Sequence, residues 1–233
     1  MNTTLRKSVV WAAAVAAMMC GVTSALARDW AVPAGSSDSF TYDSGQDLNN
    51  NFRDPWVWGD TFFYDSALFQ VASSDGEPDP IDHQYDVTSF NVRANPGLYF
   101  SIMRVTAFGS YAVTNGNPGE NSADLDAELS ITEKGGLLRN WNGPMSTTPD
   151  FPVYDLSGAW SGLEVIDMSM ALPTPWDYLH VEMSNDVLAI SGPDGAAEIN
   201  VQYESLQIEF LVIPEPSSLA MLALGGLALL RRR

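Results

Sequence analysis

Cysteine and histidine are scarce in this sequence. The chain has one cysteine, Cys20, and two histidines, His83 and His180. Zinc and copper sites in proteins usually take several Cys or His ligands, so a His-rich site of this kind cannot be built. Because Cys20 has no second cysteine to pair with, an intramolecular disulfide is excluded as well.

Basic residues are also scarce. The chain carries 11 Lys and Arg against 29 Asp and Glu, a formal net charge of −18. Five of the basic residues lie at the two ends, so residues 28–216 hold six of them, all 29 acids and a formal charge of −23. Nucleic-acid binding needs clustered Lys and Arg that contact phosphates, and the sequence therefore argues against it.

Common catalytic motifs are missing too. The stretch Gly158–Gly162 resembles a Gly-x-Ser-x-Gly elbow only superficially, since its first glycine is one residue too far from Ser161. The sequence has no glycine-rich phosphate loop. A catalytic triad would have to use His83 or His180. Paired carboxylates could serve glycoside hydrolysis, but among 29 acids a pair in sequence proves nothing. We expect that the chain is not an enzyme.

The first 27 residues have the layout of an export signal. A basic pair is followed by an apolar run and then by small residues, namely Arg6 and Lys7, Val9 to Val22, Ala25 and Ala27. This order predicts a signal peptide over residues 1–27, used by the Sec translocon and cleaved by signal peptidase after Ala25-Leu26-Ala27. A retained N-terminal anchor helix is the alternative. Cleavage would remove Cys20 and leave the mature chain without a thiol.

The last 22 residues form a second hydrophobic signal. Its parts are, in order, Pro214-Glu215-Pro216, an apolar run from Leu219 to Leu230, and Arg231, Arg232 and Arg233. As a helix, the apolar run spans about 18 Å, short of the ~30 Å hydrocarbon core, so flanking residues and snorkelling arginines must extend it. By the positive-inside rule the basic residues at both ends stay cytoplasmic, and the part between them is exported.

The tail resembles the PEP-CTERM sorting signal of Gram-negative bacteria over residues 212–233. The resemblance implies processing by an exosortase-like membrane protease, and hence an inner-membrane-anchored precursor that is delivered to the cell surface or to an extracellular exopolysaccharide (biofilm) matrix. The two prolines are expected to keep the processing site extended, outside helix and sheet. An ordinary tail anchor is the alternative. Such tails are attached to many unrelated domains, so the resemblance says nothing about the activity of the exported part.

Residues 28–213 are predicted to form one all-β domain. Apolar and polar residues alternate with period two in several segments, for example at Leu125, Ala127, Leu129 and Ile131, which is typical of half-buried strands. Pro and Gly recur roughly every dozen residues, as in antiparallel sandwiches. We predict a single antiparallel, jelly-roll-like β-sandwich, flanked by the N-terminal signal helix and a short C-terminal transmembrane helix.

Four finer features of the domain are predicted from local patterns. Asn185-Asp186, between two apolar runs, predicts a hairpin turn. The buried parity changes across Glu204-Ser205, which predicts a bulge or a bend from one sheet to the other. Leu98–Val113 is apolar on both parities and predicts a central strand or a bent hairpin. Residues 139–160, rich in proline, predict a long surface loop.

A cluster of carboxylates is the candidate metal site. Residues 75–86 carry acids at alternating positions and again near the end of the stretch, namely Asp75, Glu77, Asp79, Asp82 and Asp86. Hard Ca²⁺ favours such oxygen ligands, so calcium is the candidate cofactor. The stretch departs from an EF-hand loop, since Pro80 replaces the central glycine and no flanking helices are predicted. A solvated acidic loop is the alternative, and His83 as a transition-metal ligand is a third possibility.

Tryptophans are the candidate ligand-binding residues. Trp56 and Trp58 share a parity, so in a strand they would lie on one face and form a flat platform for sugar rings, with Asp54 and Asp60 accepting hydrogen bonds from hydroxyl groups. Four other tryptophans follow the signal: Trp30, Trp141, Trp160 and Trp176. Trp141 and Trp160 bracket the proline-rich stretch and could act likewise. The alternative for each tryptophan is packing in the core of the sandwich.

Three functions remain after these exclusions. The first is an exported surface or matrix protein with a structural or adhesive role, assisted by calcium. The second is a carbohydrate-binding module that uses the tryptophans. The third is a small glycan-active enzyme. The acidic charge of the exported part suits divalent cations or a polysaccharide matrix rather than nucleic acid or an anionic membrane.

Overall fold

The structure is a computed structural model that describes residues 27–65, 69–74, 81–114, 121–135, 139–154, 156–169, 176–192, 194–202 and 205–215. Within these ranges the chain forms fifteen β-strands and has no helix that is long and apolar enough to cross a membrane. The predicted signal helix and tail helix lie outside the described residues. In chain order the strands are β1 Arg28–Asp29, β2 Gly35–Ser36, β3 Phe40–Asp47, β4 Trp56–Trp58, β5 Thr61–Tyr64, β6 Gln70–Ser74, β7 Ile81–Ala94, β8 Leu98–Thr114, β9 Ser122–Glu133, β10 Asn140–Pro144, β11 Ser146–Thr148, β12 Ser157–Asp167, β13 Tyr178–Ile190, β14 Ala196–Val201 and β15 Leu206–Pro214.

The strands form two antiparallel sheets, as predicted. The first sheet has the order β1-β3-β7-β13-β9-β10, with β2 paired to β3. The second sheet has the order β11-β12-β8-β15-β5-β4, and β14 joins it by pairing with both β8 and β6. Each strand that alternates turns one row of side chains to the other sheet and one row to solvent. The domain is therefore an all-β sandwich with two outer faces.

Aromatic side chains from both sheets fill the centre of the core. Phe90 of the first sheet lies 4.5 Å between ring centroids from Phe62 of the second, and Phe40 stacks on Phe62 at 5.7 Å. These rings and Phe210 are at most 1% exposed. Burying each such side chain contributes about 1.5–3 kcal/mol, so the cluster holds the two sheets face to face.

The predicted alternation is confirmed in β9, but the predicted hairpin at Asn185-Asp186 is wrong. In β9 Leu125, Ala127, Leu129 and Ile131 are all buried. β13 runs without a turn through Asn185-Asp186 and pairs along its whole length with β7 on one side and nearly its whole length with β9 on the other. A turn there would break both ladders, which outweighs the local turn preference of the two residues.

Residues 139–160 are mostly strand rather than the predicted long surface loop. They contain β10, β11 and the start of β12, and β10 pairs with β9 so that Trp141 lies opposite Ile131. The prolines do not oppose this arrangement, since Pro144 ends β10 and Pro152 lies between strands. Proline is tolerated at such positions because it removes no donor from the middle of a ladder.

The pairing of β14 and β15 with β8 explains why the buried residues change parity across Glu204-Ser205. β8 is one continuous strand in the interior of the second sheet, so the prediction of a central strand is confirmed and the bent hairpin is not. β14 and β15 both pair with β8, one after the other. The parity change is therefore an irregularity within one sheet, and the chain does not cross to the other sheet there.

Candidate functional site

Two exposed tryptophans lie at one edge of the second sheet. Strand β4 consists of Trp56, Val57 and Trp58, and the two tryptophans are 47% and 71% exposed. They lie on the same side of the strand because alternate residues share a face. Trp56 stacks on Phe63 of β5, with 4.2 Å between ring centroids and 12° between the planes. We call Trp56, Trp58 and Phe63 the aromatic platform. The sequence indicated the two tryptophans, but Phe63 follows only from the strand pairing.

The turn between β4 and β5 anchors the platform. Gly59 has a φ of 58°, in the left-handed region that favours glycine. The carboxylate of Asp60 accepts hydrogen bonds from the hydroxyl groups of Ser37 at 3.0 Å and Ser39 at 2.8 Å. Asp60 therefore ties the hairpin to the chain before β3. Its predicted role as an acceptor for ligand hydroxyls stays a prediction, as does that of Asp54, which is half-buried two residues before Trp56.

The platform continues into a wide outer face of the second sheet. The register sets two rows of outward side chains across β12, β8, β15, β5 and β4. The first row is Leu163, Thr106, Gln207, Phe63 and Trp56, and the second row is Val165, Arg104, Glu209, Thr61 and Trp58. The guanidinium of Arg104 and the carboxylate of Glu209 form an ion pair at 3.0 Å. We call these ten residues the second-sheet face.

The outer face of the first sheet has a different character. Five acids alternate outward along β9 and β13, and we call them the acidic face: Asp124, Asp126, Glu128, Glu182 and Asp186. A shallow polar pocket of about 260 Å³ opens there, lined by Glu128 and Glu182 together with Ser130, Ser184, Asn140 and Asn142. Burial raises the pKa of the Asp124 carboxyl above its usual range. The alternation in β9 indicated the acids, whereas the pocket depends on strand pairing and was not predicted.

Both histidines lie on the outer side of the first sheet. His83 Nε2 and Asp186 Oδ1 are 2.6 Å apart, and this hydrogen bond raises the pKa of His83. His180 Nδ1 lies 3.0 Å from the side-chain oxygen of Asn91, and burial lowers the pKa of His180. Each imidazole thus has a carboxylate or amide neighbour rather than a second imidazole. Among the described residues no group of three or more His, Cys, Asp or Glu side chains is arranged to hold a metal ion.

The structure separates the described members of the predicted calcium cluster. Asp75, Glu77 and Asp79 lie outside the described residues. Asp82 and Asp86 both lie in β7, where four residues of extended chain span about 13 Å. Asp82 is exposed and accepts the backbone N–H of Ala72 at 2.9 Å. Asp86 is fully buried. Asp82 and Asp86 are therefore too far apart to share one ion, and calcium binding by the rest of the predicted set stays a prediction.

Asp86 instead holds the loop that leads to the platform. Its carboxylate accepts backbone N–H groups of Asn49 at 2.7 Å, Asn51 at 2.6 Å and Phe52 at 3.4 Å, as well as that of Val87 at 2.8 Å. A carboxylate that accepts several N–H groups fixes a loop strongly, because each bond involves a charge. Residues 48–53 connect β3 to the segment before β4. Asp86 of the first sheet therefore fixes the loop that precedes β4 of the second.

A second buried carboxyl, that of Asp47, lies beside Asp86. Asp47 is 2% exposed and accepts the backbone N–H of Arg53 at 2.9 Å. Burial and the adjacent Asp86 carboxylate raise the pKa of Asp47 to about 8. At neutral pH Asp47 therefore keeps its proton. No local pattern in the sequence indicates this pair, because its two members lie on different strands.

The described part of the tail is attached to the sheet. Pro214 is the last residue of β15, opposite Leu98 of β8, and the backbone N–H of Glu215 donates to the carbonyl of Gly97 at 2.9 Å. The prediction that the Pro-Glu-Pro segment stays outside the sheet is thus wrong for Pro214, which a strand end tolerates. Ala27 is exposed just before β1. The remaining sorting and cleavage residues, Ala25, Pro216, Arg231, Arg232 and Arg233, lie outside the described residues.

The comparisons with known proteins recognise the tail. Residues 212–233 match the family model described as the PEP-CTERM protein-sorting motif. The resemblance drawn from the sequence is thereby confirmed for this segment. No curated protein matches the chain.

Solved structures show only distant likenesses. TmCBM61 in complex with beta-1,4-galactotriose is 10% identical over 81% of this chain and 99% of that chain, with a TM-score of 0.26. A structure of infectious bursal disease virus, Gx strain, is 12% identical over 77% and 45%, with a TM-score of 0.26. The enzymatically active domain of bacteriophage CBA120 tailspike protein 4 is 9% identical over 63% and 20%, with a TM-score of 0.21. With TM-scores this low, none of the three bears on the function of this chain.

Proposed function

We propose, for a chain whose C-terminus carries a PEP-CTERM sorting motif, that the β-sandwich is an exported surface or matrix protein with an adhesive role. The motif implies an exported protein that an exosortase-like membrane protein processes. The proposal adds the destination, which is the cell surface or exopolysaccharide matrix of a Gram-negative bacterium. It also adds the means of adhesion, which is polysaccharide bound on the aromatic platform.

The observation that carries the adhesive role is the exposure of the platform. Trp56 and Trp58 are 47% and 71% exposed on one side of a strand, while Trp30, Trp160 and Trp176 are at most 6% exposed. Burying two large indoles would lower the free energy of the fold, and their exposure leaves this stabilisation unused. Their position therefore favours a ligand that covers them. A sugar ring offers an apolar C–H side to an indole and hydroxyl groups to nearby polar side chains.

Binding in this proposal involves no turnover and no metal at the platform. Its ring faces act by stacking, and the nearby polar groups, among them Thr61 and Gln207, act by hydrogen bonding. Calcium, if it acts through the acidic segment that begins at Asp75, is a separate property. Chelation of divalent ions should therefore leave glycan binding intact.

The adhesive role is tested by glycan binding to the exported protein. The wild type should bind a polysaccharide in a screen and keep that binding in EDTA, and Trp56→Ala or Trp58→Ala should weaken it at least about tenfold, ~1.4 kcal/mol. Tyr85→Ala is the matched control, since Tyr85 is 41% exposed on the first sheet. Equal binding by the tryptophan variants and the wild type would contradict the proposal.

The sorting step has a separate test. Protein recovered from the cell surface should have the intact mass of a chain without the residues that follow the Pro214-Glu215-Pro216 motif. The matched variant replaces Arg231, Arg232 and Arg233 with Gln, which removes the cationic end of the signal and should leave an unprocessed precursor in the membrane. Surface protein that retains Leu219–Arg233 would show that exosortase-type processing does not occur.

A further inference from the structure

The aromatic platform occupies only one side of the second-sheet face. Beyond it, Leu163 and Val165 of β12 are 49% and 46% exposed, and Phe108 of β8, beside the first row, is 43% exposed. Leu211 of β15 is 51% exposed. Isolated apolar residues on a surface need no explanation, but here apolar groups lie at both ends of one face, with the polar side chains of Thr106 and Gln207 between them.

The rows that join these residues to the platform are continuous. Leu163 lies opposite Thr106 on β8, and Thr106 lies opposite Gln207 on β15. Gln207 in turn lies opposite Phe63, the partner of Trp56. Four strand intervals of ~4.8 Å give the row a length of about 19 Å, which is several sugar rings. Apolar groups lie at both ends of each row, and polar groups lie in the middle.

The charge of this face limits what can bind there. Its two rows contain one cation and one anion, Arg104 and Glu209, and these neutralise each other at 3.0 Å. The exported part of the chain otherwise carries a formal charge of −23. A polyanion would be repelled by the domain as a whole, and a polycation would be drawn to the acidic face instead. An uncharged polymer meets neither obstacle.

We propose that the whole second-sheet face binds an uncharged polysaccharide, whose chain lies across the five strands from the platform to Leu163 and Val165. The inference rests on the proposed adhesive function and extends it by naming the ligand class and its path. Trp56 and Trp58 stack on rings at one end. Gln207, Thr106 and the Arg104–Glu209 pair hydrogen-bond to hydroxyl groups in the middle. Leu163 and Val165 contact the apolar sides of rings at the far end.

The path is tested by comparing short and long ligands on the exported protein. An uncharged polysaccharide should bind the wild type several-fold more tightly than a disaccharide of the same sugar. The double variant Leu163→Ser/Val165→Ser should lose that advantage and keep the disaccharide affinity, whereas Trp56→Ala should weaken both. Ile81→Ser, on the first sheet, is the matched control because Ile81 is 44% exposed. All three sites are on the surface, so folding is expected to persist and is checked by the melting temperature.

Several outcomes would overturn this inference while the adhesive function stands. They are equal affinity for short and long ligands, an unchanged affinity of the double variant for the long ligand, and equal binding of a uronate-rich polysaccharide. A wild type that sediments as a dimer, with the double variant monomeric, would assign the far end to a second copy of the chain. Failure of every glycan to bind would remove the proposed function and this inference together.

Discussion

The two outer faces of one sandwich differ more than the two sheets that carry them. On the first sheet, outward positions of β9 and β13 hold the acidic face and a polar pocket. On the second sheet, outward positions hold exposed indoles, aliphatic side chains and the neutralised Arg104–Glu209 pair, and the acids Asp167 and Glu198 lie beyond the two rows. Both sheets bury the same kind of apolar row inward. The sandwich fold therefore constrains mainly the inward-facing residues. The outward-facing residues determine which molecules each face can contact.

The difference is also electrostatic. Carboxylates on the acidic face repel each other, which disfavours the close approach of apolar or anionic partners. The ten residues of the second-sheet face carry no net charge and present exposed aromatic and aliphatic side chains instead. The adhesive role proposed above is therefore assigned to the second-sheet face.

The largest effect is expected where the two faces depend on each other. Asp86→Ala should lower the free energy of unfolding by several kcal/mol, since each buried N–H that loses its acceptor costs ~1–3 kcal/mol. It should also weaken glycan binding, because the loop at 48–53 leads to the platform. Denaturant unfolding and a binding titration measure the two effects. Asp82→Ala, on the same strand but exposed, is the control and should change little. If the Asp86→Ala protein is as stable as the wild type and binds glycan equally well, the two faces do not depend on each other.

The next effect is a dependence of stability on pH. The folded state raises the pKa of Asp47 from 3.8 to about 8. The unfolded chain releases this proton near pH 4 and the folded chain holds it until about pH 8, so stability should fall as pH rises through that window. Asp47→Asn cannot ionise and should flatten the decline and raise the melting temperature at pH 8. An equally steep decline in the variant would contradict this account.

Removing charge from the acidic face should have a smaller effect. Glu128→Gln/Glu182→Gln relieves repulsion within a domain of charge −23 and should stabilise it by a few tenths of a kcal/mol at low salt. The gain should shrink at high ionic strength because salt screens exposed charges. Glycan binding should be unchanged. Weaker binding in this variant would place the ligand on the acidic face and break the comparison.

The smallest effect is expected at His83. Its bond to Asp186 raises the pKa of His83, so the pair stabilises the fold below the unfolded pKa of about 6.5, and this contribution is lost as pH rises through the folded value. Both side chains are partly exposed, which limits the contribution to a few tenths of a kcal/mol. His83→Gln should remove this small decline of stability above about pH 6.5, as measured by the melting temperature. A shift as large as that of Asp47→Asn would contradict the assignment.

The local sequence pattern predicted the features of the fold that depend on residues close together in the chain. The alternation in β9 and the shared side of Trp56 and Trp58 both follow from the period of an extended strand, which any window of sequence reveals. Turn chemistry misled the prediction at Asn185, because β13 has a neighbour on each side and its ladders decide the conformation. The identity of two adjacent residues does not indicate which strands will pair with them in the fold.

Features that depend on register could not be predicted. Phe63 joins the platform because β5 pairs with β4, and Arg104 meets Glu209 because β8 pairs with β15. Asp86 was assigned to a calcium loop by its distance along the chain from Asp75. In the fold it faces inward, toward backbone donors from a segment far away in sequence. Long-range strand pairing decides such contacts, and a single sequence gives no direct measure of it.

The most direct test of the central claim is chemical footprinting of tryptophan. The exported protein is oxidised with N-bromosuccinimide with and without an uncharged polysaccharide, and each tryptophan is followed by peptide mass spectrometry. Trp56 and Trp58, 47% and 71% exposed, should react first in the free protein, before Trp160 at 2%. The polysaccharide should protect both exposed tryptophans and leave the oxidation of Tyr85 unchanged. Bound polysaccharide without protection of Trp56 and Trp58 would contradict the account.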